Sequence, residues 1–230
     1  MTTQLSYQTG SAGQGGLSRK TRALVLCDDG WHPGAMVRRG IAPLVGSGFD
    51  FVYLEDGSAW SPGLMTEFDL VVLAKCNVIS ATNKTHWLTV DSQSAFPDYL
   101  HSGHGLLVIH AGTAGYQDCA GLRRLTGGRF LRHPDPCAVN LLPRPGHPVV
   151  AGVNPFMVRD EHYFMALEDP NAEVFLHSQS THGIQPAGWT RPEGRGRVCV
   201  LTPGHTEEVW LHPMFQLLLR NALHWTSATR

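Results

Sequence analysis

Short apolar runs alternate with longer amphipathic or polar segments through the first half of the chain. Ala23 to Cys27 (ALVLC), Phe51 to Leu54, Asp69 to Ala74 (DLVVLA) and Gly105 to His110 (GLLVIH) have the length and content of buried strands. Between them, Ala35 to Val45 and Lys84 to His101 have helical length, with Pro43 expected to end the first early and Pro97 to break the second. Strands that are apolar on both faces, separated by helices, predict a parallel sheet covered on both sides. The expected fold is therefore α/β, with three layers around a mostly parallel sheet.

Beyond Gly112 the pattern thins. Leu122 to Leu125 is expected as a short helix, Ala138 to Leu142 and Ala172 to His177 as strands, and Arg197 to Thr202 (RVCVLT) as an apolar strand. Pro213 to Trp225 fits a closing helix that buries Met214, Leu217, Leu218 and Leu223. At the other end, Met1 to Lys20 is rich in Gly, Ser, Thr and Gln, with too little apolar surface to offset the entropy of ordering. Residues 1–22 are expected as a flexible tail and 23–230 as one domain. The glycines between Gly10 and Gly16 precede the first strand, whereas a nucleotide-binding loop must follow one, so they are discounted.

Composition narrows the class. A chain of 230 residues with 42% hydrophobic and 16% charged residues suits one globular core. A formal net charge of -1 and basic clusters as short as Arg38-Arg39, Arg123-Arg124 and the spaced Arg191, Arg195 and Arg197 exclude a nucleic-acid field. No run approaches the roughly 18 apolar residues of a membrane span, and the N-terminus lacks a signal-peptide core. The five cysteines (Cys27, Cys76, Cys119, Cys137, Cys199) are odd in number and contain no C-x-x-C, which points to core thiols in a cytoplasmic protein.

In doubly wound sheets, ligands bind beyond the carboxyl ends of the strands, where loops and helix N-termini converge. That rule selects Asp28, Asp29 and His32 after the first strand, Lys75 and Cys76 after the third, His110 at the end of the fourth, and His205 with Glu207 after the late strand. Three histidines from distant parts of the sequence thus fall on one expected rim, which makes them candidates for a shared site.

The segments Gly30-Trp31-His32-Pro33, Gly105 to Gly112 (GLLVIHAG), Gly127 to Pro134 (GGRFLRHP), Gly146-His147-Pro148, Asp160-Glu161-His162-Tyr163, Gly194 to Val198 (GRGRV), Pro203-Gly204-His205 and His224-Trp225 resemble, in order and spacing, the ThuA-like or trehalose-utilisation family. The resemblance spans roughly Ala23 to Trp225. It implies the glutamine-amidotransferase-like (flavodoxin-like) fold and a substrate related to trehalose or another sugar.

A glutaminase of that superfamily needs a thiolate on the turn after a central strand, activated by a distant histidine and a carboxylate two residues beyond it. His205-x-Glu207 resembles the second half of that arrangement, but His110 holds the position of the thiol, and imidazole cannot form the thioester. Cys76 or Cys119 acting as a displaced nucleophile is the least favoured alternative. Two other chemistries stay open. One is acid-base work by His110 and His205, with Glu207, Asp160 and Glu161 orienting or polarising a sugar-like ligand bound by His32, Asp29, Tyr163 and Trp31. The other is a divalent metal such as zinc held by His32, His110 and His205, with a water in the open position. Trp189 and Trp210 are further candidates for stacking on a sugar, whereas His133, His147 and the remaining histidines are expected to be structural. A non-catalytic sugar-binding module is the alternative to an enzyme, and a homo-oligomer is left open.

Overall fold

The computed structural model describes residues 5–8 and 19–228 of the chain. In chain order the strands are β1 (Leu5–Gln8), β2 (Thr21–Leu26), β3 (Phe49–Leu54), β4 (Leu70–Leu73), β5 (Gly105–Ile109), β6 (Gly128–Arg132), β7 (Cys137–Pro143), β8 (Phe156–Asp160), β9 (Phe164–Leu167), β10 (Glu173–Ser180), β11 (Gly183–Glu193) and β12 (Gly196–Leu201). The helices are α1 (Gly34–Ile41), α2 (Pro62–Met65), α3 (Ala95–His101), α4 (Ala120–Thr126), α5 (Glu207–Leu211) and α6 (Pro213–Ser227). Among the described residues, no helix is long and apolar enough to cross a membrane.

Ten strands form the main sheet in the order β1-β3-β2-β4-β5-β12-β11-β10-β7-β8. From β3 to β12 the neighbours run parallel, as the apolar runs predict. The remainder is antiparallel: β11, β10, β7 and β8 extend the sheet on one side and β1 closes the other. A small second sheet pairs β6 with β9. Alternate residues of each parallel strand enter opposite cores. Ala23 and Val25 face Met36 and Ile41 of α1 and Leu218 of α6, while Leu24 and Leu26 face Phe96 of α3 and Leu122 of α4. These two buried layers sandwich the sheet and give the three-layer α/β fold.

Several expectations need correcting. Leu5–Gln8 is not a loose tail: it pairs antiparallel with β3, Tyr7 opposite Val52. The glycine run from Gly10 to Gly16 lies outside the described residues. Lys84 to His101 is helical only from Ala95, because Pro97 sits in the first turn, where its missing N–H has no intrahelical partner to lose. Pro97 starts this helix instead of breaking it. In α6 the fully buried face is Phe215, Leu218, Leu219, Ala222 and Leu223, with Met214 and Leu217 only partly covered. The early end expected at Pro43 is found: the first helix stops at Ile41 and continues as a short 3-10 turn through Pro43.

Candidate metal centre

The parallel register aligns the strand ends that matter. Leu26 pairs with Leu73, Leu73 with Val108, and Ile109 with Leu201, so the segments after β2, β4, β5 and β12 open on one edge. His32, Cys76, His110 and His205 follow those ends. β8 runs in the same direction as β12, which brings Glu161 to that edge too. Four strands separate β8 from β5 across the sheet, so the antiparallel extension must curl back over the edge. Asp160 fastens it there, accepting from the backbone N–H of Gly204 at 2.9 Å and of His205 at 3.0 Å.

His32, His110, His205 and Glu161 each place a ligand atom within 4.8 Å of all the others. Hydrogen bonding settles two tautomers. A carboxylate only accepts, so His32 Nδ1–H donates to Asp29 at 2.9 Å, which leaves Nε2 as the acceptor of the ring. His110 Nδ1 lies 2.7 Å from the Thr202 carbonyl oxygen, which likewise must accept, so His110 Nε2 also carries a lone pair. That atom is buried, stands 3.3 Å from Glu161 Oε2, and has no hydrogen-bond partner. His205 Nδ1 lies 3.2 Å from His32 Nε2 and 3.3 Å from Glu161 Oε2. Acceptor atoms of His32, His110 and Glu161 thus converge on one point; a proton on His205 Nδ1 can serve His32 Nε2 or Glu161, and His110 Nε2 is the atom of the cluster left without a partner.

Local backbone builds this arrangement. His110 has φ of 45°, a left-handed turn directly after β5 that throws its ring into the edge. Gly112 lets that turn lie flat, since a Cβ there would stand 2.2 Å from the Leu73 carbonyl oxygen. Gly204 takes φ of 145°, open to glycine and strained for other residues, with its missing Cβ 3.1 Å from His110 Cβ. Asp29 is clamped by four donors: the backbone N–H of Trp31, of His32 and of Cys76, and the His32 ring.

The electrostatics agree with a ligand set. Burial pushes His110 down to about 4, against the pull of Glu161 and the Thr202 carbonyl, so the ring is neutral at neutral pH. Burial also lowers His205, opposed by the Glu161 charge. Burial would raise Asp29, but the His32 ring and the backbone donors hold its carboxyl well below the usual range. Glu161 is likewise lowered, the histidines around it outweighing burial. Asp160 goes the other way: complete burial raises it to about 7 in spite of three backbone N–H donors.

A cavity of about 390 Å³ opens onto one side of the cluster, lined among others by Trp31, His32, Phe130, His133, Glu161 and Tyr163. Tyr163 is buried and stacks on His110 at 4.1 Å between ring centroids. Trp31 stands at the mouth, 62% exposed, with Lys84 Nζ 4.6 Å from its ring centre.

Of the residues selected from sequence, His32, His110 and His205 do come together, and Glu161 stands with them. Glu207 does not. Thr206 caps α5, so Glu207 opens that helix facing outward and pairs with Arg39 at 2.7 Å. Asp29 and Asp160 are each 1% exposed, with their oxygens engaged by the His32 ring and by backbone N–H groups that include that of His205. Trp189 and Trp210 are core residues, donating to the carbonyls of Thr126 and Gly204. Cys76 lines the cavity, but burial and the Asp29 charge push its thiol up to about 12, and Cys119 is raised by burial, so neither supplies a thiolate. His133, expected to be structural, lines the same cavity with its Nδ1 3.6 Å from Glu161 Oε1; its place in the segment GGRFLRHP is the sequence signal for it.

Comparison with known proteins agrees with this architecture. The family model described as trehalose utilisation, ThuA, matches residues 30–226. A ThuA-like protein from Bacteroides uniformis superposes with a TM-score of 0.69 at 20% identity, over 94% of each chain. Another, from Parabacteroides merdae, gives 0.74 at 15% identity, over 91% of this chain and 90% of that one. A cold-adapted β-galactosidase from Rahnella sp. R3 matches at 0.64 and 11% identity, over 90% of this chain but 31% of its own. No curated protein matches the sequence. With a family model covering most of its length, the chain belongs to the ThuA, or trehalose utilisation, family.

Proposed function

We propose that the protein is an enzyme acting on a carbohydrate or carbohydrate-derived small molecule, assisted by a divalent metal ion that His32, His110, His205 and Glu161 hold. One observation carries this reading: His110 Nε2 is a buried lone pair with no hydrogen-bond partner, facing the carboxylate of Glu161. Two acceptors so placed repel unless a cation lies between them, and leaving a buried acceptor unmet costs ~1–3 kcal/mol. A proton is a poor candidate, because burial keeps His110 neutral down to about pH 4. The same fact argues against His110 as a general acid at neutral pH. A bound divalent ion would supply Lewis-acid polarisation of a sugar oxygen or an activated water.

The chain's own groups prepare the rest. Asp29 and the Thr202 carbonyl fix the tautomers of His32 and His110, as partners of metal-binding histidines commonly do. Asp160 pins the His205 backbone. Phe130, Tyr163 and Trp31 offer aromatic faces on which a sugar ring can stack. The family description, trehalose utilisation, supports the carbohydrate class. A cytoplasmic location is part of the same reading and rests on five free cysteines.

The test is elemental analysis of the purified protein, followed by incubation with trehalose, glucose and oxidised disaccharides under NMR. Stoichiometric metal and a sugar conversion that disappears in His110→Ala are expected. Sugar binding without conversion would identify a binding module instead, and a protein with neither metal nor sugar affinity would refute the proposal.

A further inference from the structure

We infer that the ion at this centre has more than four ligands and draws the additional ones from the cavity, so that the carbohydrate binds the metal directly through oxygen. The inference rests on the metal reading above and deepens it. Three imidazoles and one carboxylate already complete a tetrahedral shell, and a four-coordinate ion so enclosed is a structural staple with no room for substrate. Catalysis at this donor set requires an ion that expands its coordination.

Three features favour expansion. The centre is covered on one side only: His32 and Glu161 line the cavity, whereas His110 is 1% exposed beneath Tyr163 and the His205 backbone is tied to Asp160. The carboxylate gives the cluster a single oxygen. Glu161 Oε2 lies 3.3 Å from both His110 Nε2 and His205 Nδ1, while Oε1 turns towards His133 Nδ1 at 3.6 Å. Finally, Trp31, Phe130 and Tyr163 give the walls ring faces, and the Asn77 amide is spent on the Leu88 backbone, so polar anchoring of a sugar falls to the imidazoles of His86 and His133 and to the floor, where the ion would sit. A set of three nitrogens and one oxygen, completed by ligand oxygens, suits manganese, iron, cobalt or nickel better than tetrahedral zinc.

Cobalt(II) tests this without a substrate, because its visible absorption is intense when four-coordinate and weak when five- or six-coordinate. Metal-free protein would be loaded with cobalt(II), desalted, analysed for metal content, and titrated with acetohydroxamate, a bidentate oxygen ligand small enough for the cavity. The expected result is stoichiometric cobalt with weak absorption that shifts on titration while the metal stays bound. An intense spectrum that acetohydroxamate leaves unchanged, or cobalt lost to the hydroxamate with no bound complex, would overturn the inference and make the ion structural. A protein that takes up no cobalt would overturn the metal reading itself, and this inference with it.

Discussion

The molecule contains two kinds of buried histidine. In the antiparallel extension, His162 is sealed with both ring nitrogens met, Nδ1 at 2.7 Å from Ser180 Oγ and Nε2 at 3.0 Å from Ser178 Oγ. His147 is equally satisfied, accepting from the Val149 N–H and reaching Thr190 Oγ1 at 3.0 Å. At the edge of the parallel half, His32 and His110 each spend Nδ1 on a protein acceptor and turn Nε2 to the same point. Burial alone therefore does not distinguish a ligand from a packed core residue. The difference lies in the second nitrogen: serine and threonine hydroxyls can donate or accept as needed, whereas a carboxylate beside two imidazole lone pairs cannot.

That contrast predicts opposite outcomes for like substitutions. His110→Ala should abolish stoichiometric metal, lowering affinity by more than the ~10–100-fold that loss of a ligand's partner typically costs. His162→Ala should leave metal content intact and cost stability, ~1–3 kcal/mol for the serine hydroxyls it strands. Elemental analysis and urea unfolding of the two variants would decide it. Metal loss in both, or in neither, would erase the distinction.

A pH titration sharpens the contrast further. Burial lowers His162, and lowers His110 to about 4, so both folded values lie beneath the unfolded one near 6.5. The unfolded chain then takes up protons first as the solution is acidified. Stability from these rings is full above pH 6.5 and declines as pH falls towards 4, by on the order of 3 kcal/mol for His110. Metal should steepen the decline in the wild type and in His162→Gln, because protons compete with the ion for His110. In His110→Gln the metal should add no slope.

A smaller effect belongs to Asp29. Its Oδ1 stands between the His32 ring and two backbone N–H groups, and its Oδ2 holds the Cys76 N–H, so Asp29→Ala frees the His32 ring to turn. Metal affinity measured against a competing chelator should fall ~10–100-fold with stoichiometry retained. An unchanged affinity would mean that loop packing alone orients His32.

Much of this was legible beforehand and some was not, for identifiable reasons. Strands buried on both faces announce themselves as unbroken apolar runs, so β2, β4, β5 and β12 and the histidines after them could be placed from local pattern. The rule for strand ends then predicted the convergence of His32, His110 and His205. β8 faces water on one side and carries a weaker signal, Met157 and Arg159 alternating outward with Val158 inward. Nothing local to Glu161 says that a curled extension returns it to the parallel edge. That placement depends on Asp160 meeting Gly204 and His205, a contact across more than forty residues. The sequence marks Asp160 and Glu161 together, but only the curl separates them, Asp160 onto the backbone of Gly204 and His205 and Glu161 onto the His110 and His205 rings.

The smallest expected effect concerns the residue that local spacing promoted most. Glu207, two positions after His205, imitates the carboxylate of a nucleophile-activating pair, yet its side chain is 41% exposed and engages Arg39, itself 55% exposed. A carboxylate serves a histidine only where the backbone between them lets both face one point. Here Thr206 interposes a helix cap, its hydroxyl accepting from the Val209 N–H, and so sends Glu207 along α5 towards α1. Exposed pairs of this kind contribute little, because water and salt screen them and two long side chains must be held in one geometry, and a carboxylate in a helix's first turn adds only slightly to that. Glu207→Gln should therefore lower stability only slightly, an effect that salt diminishes, and leave metal content and affinity at wild-type values. Equilibrium unfolding at low and high salt, with a chelator competition on the same samples, measures both. A drop in metal affinity comparable to that of Asp29→Ala would return Glu207 to the site and show that α5 shifts when the centre is loaded.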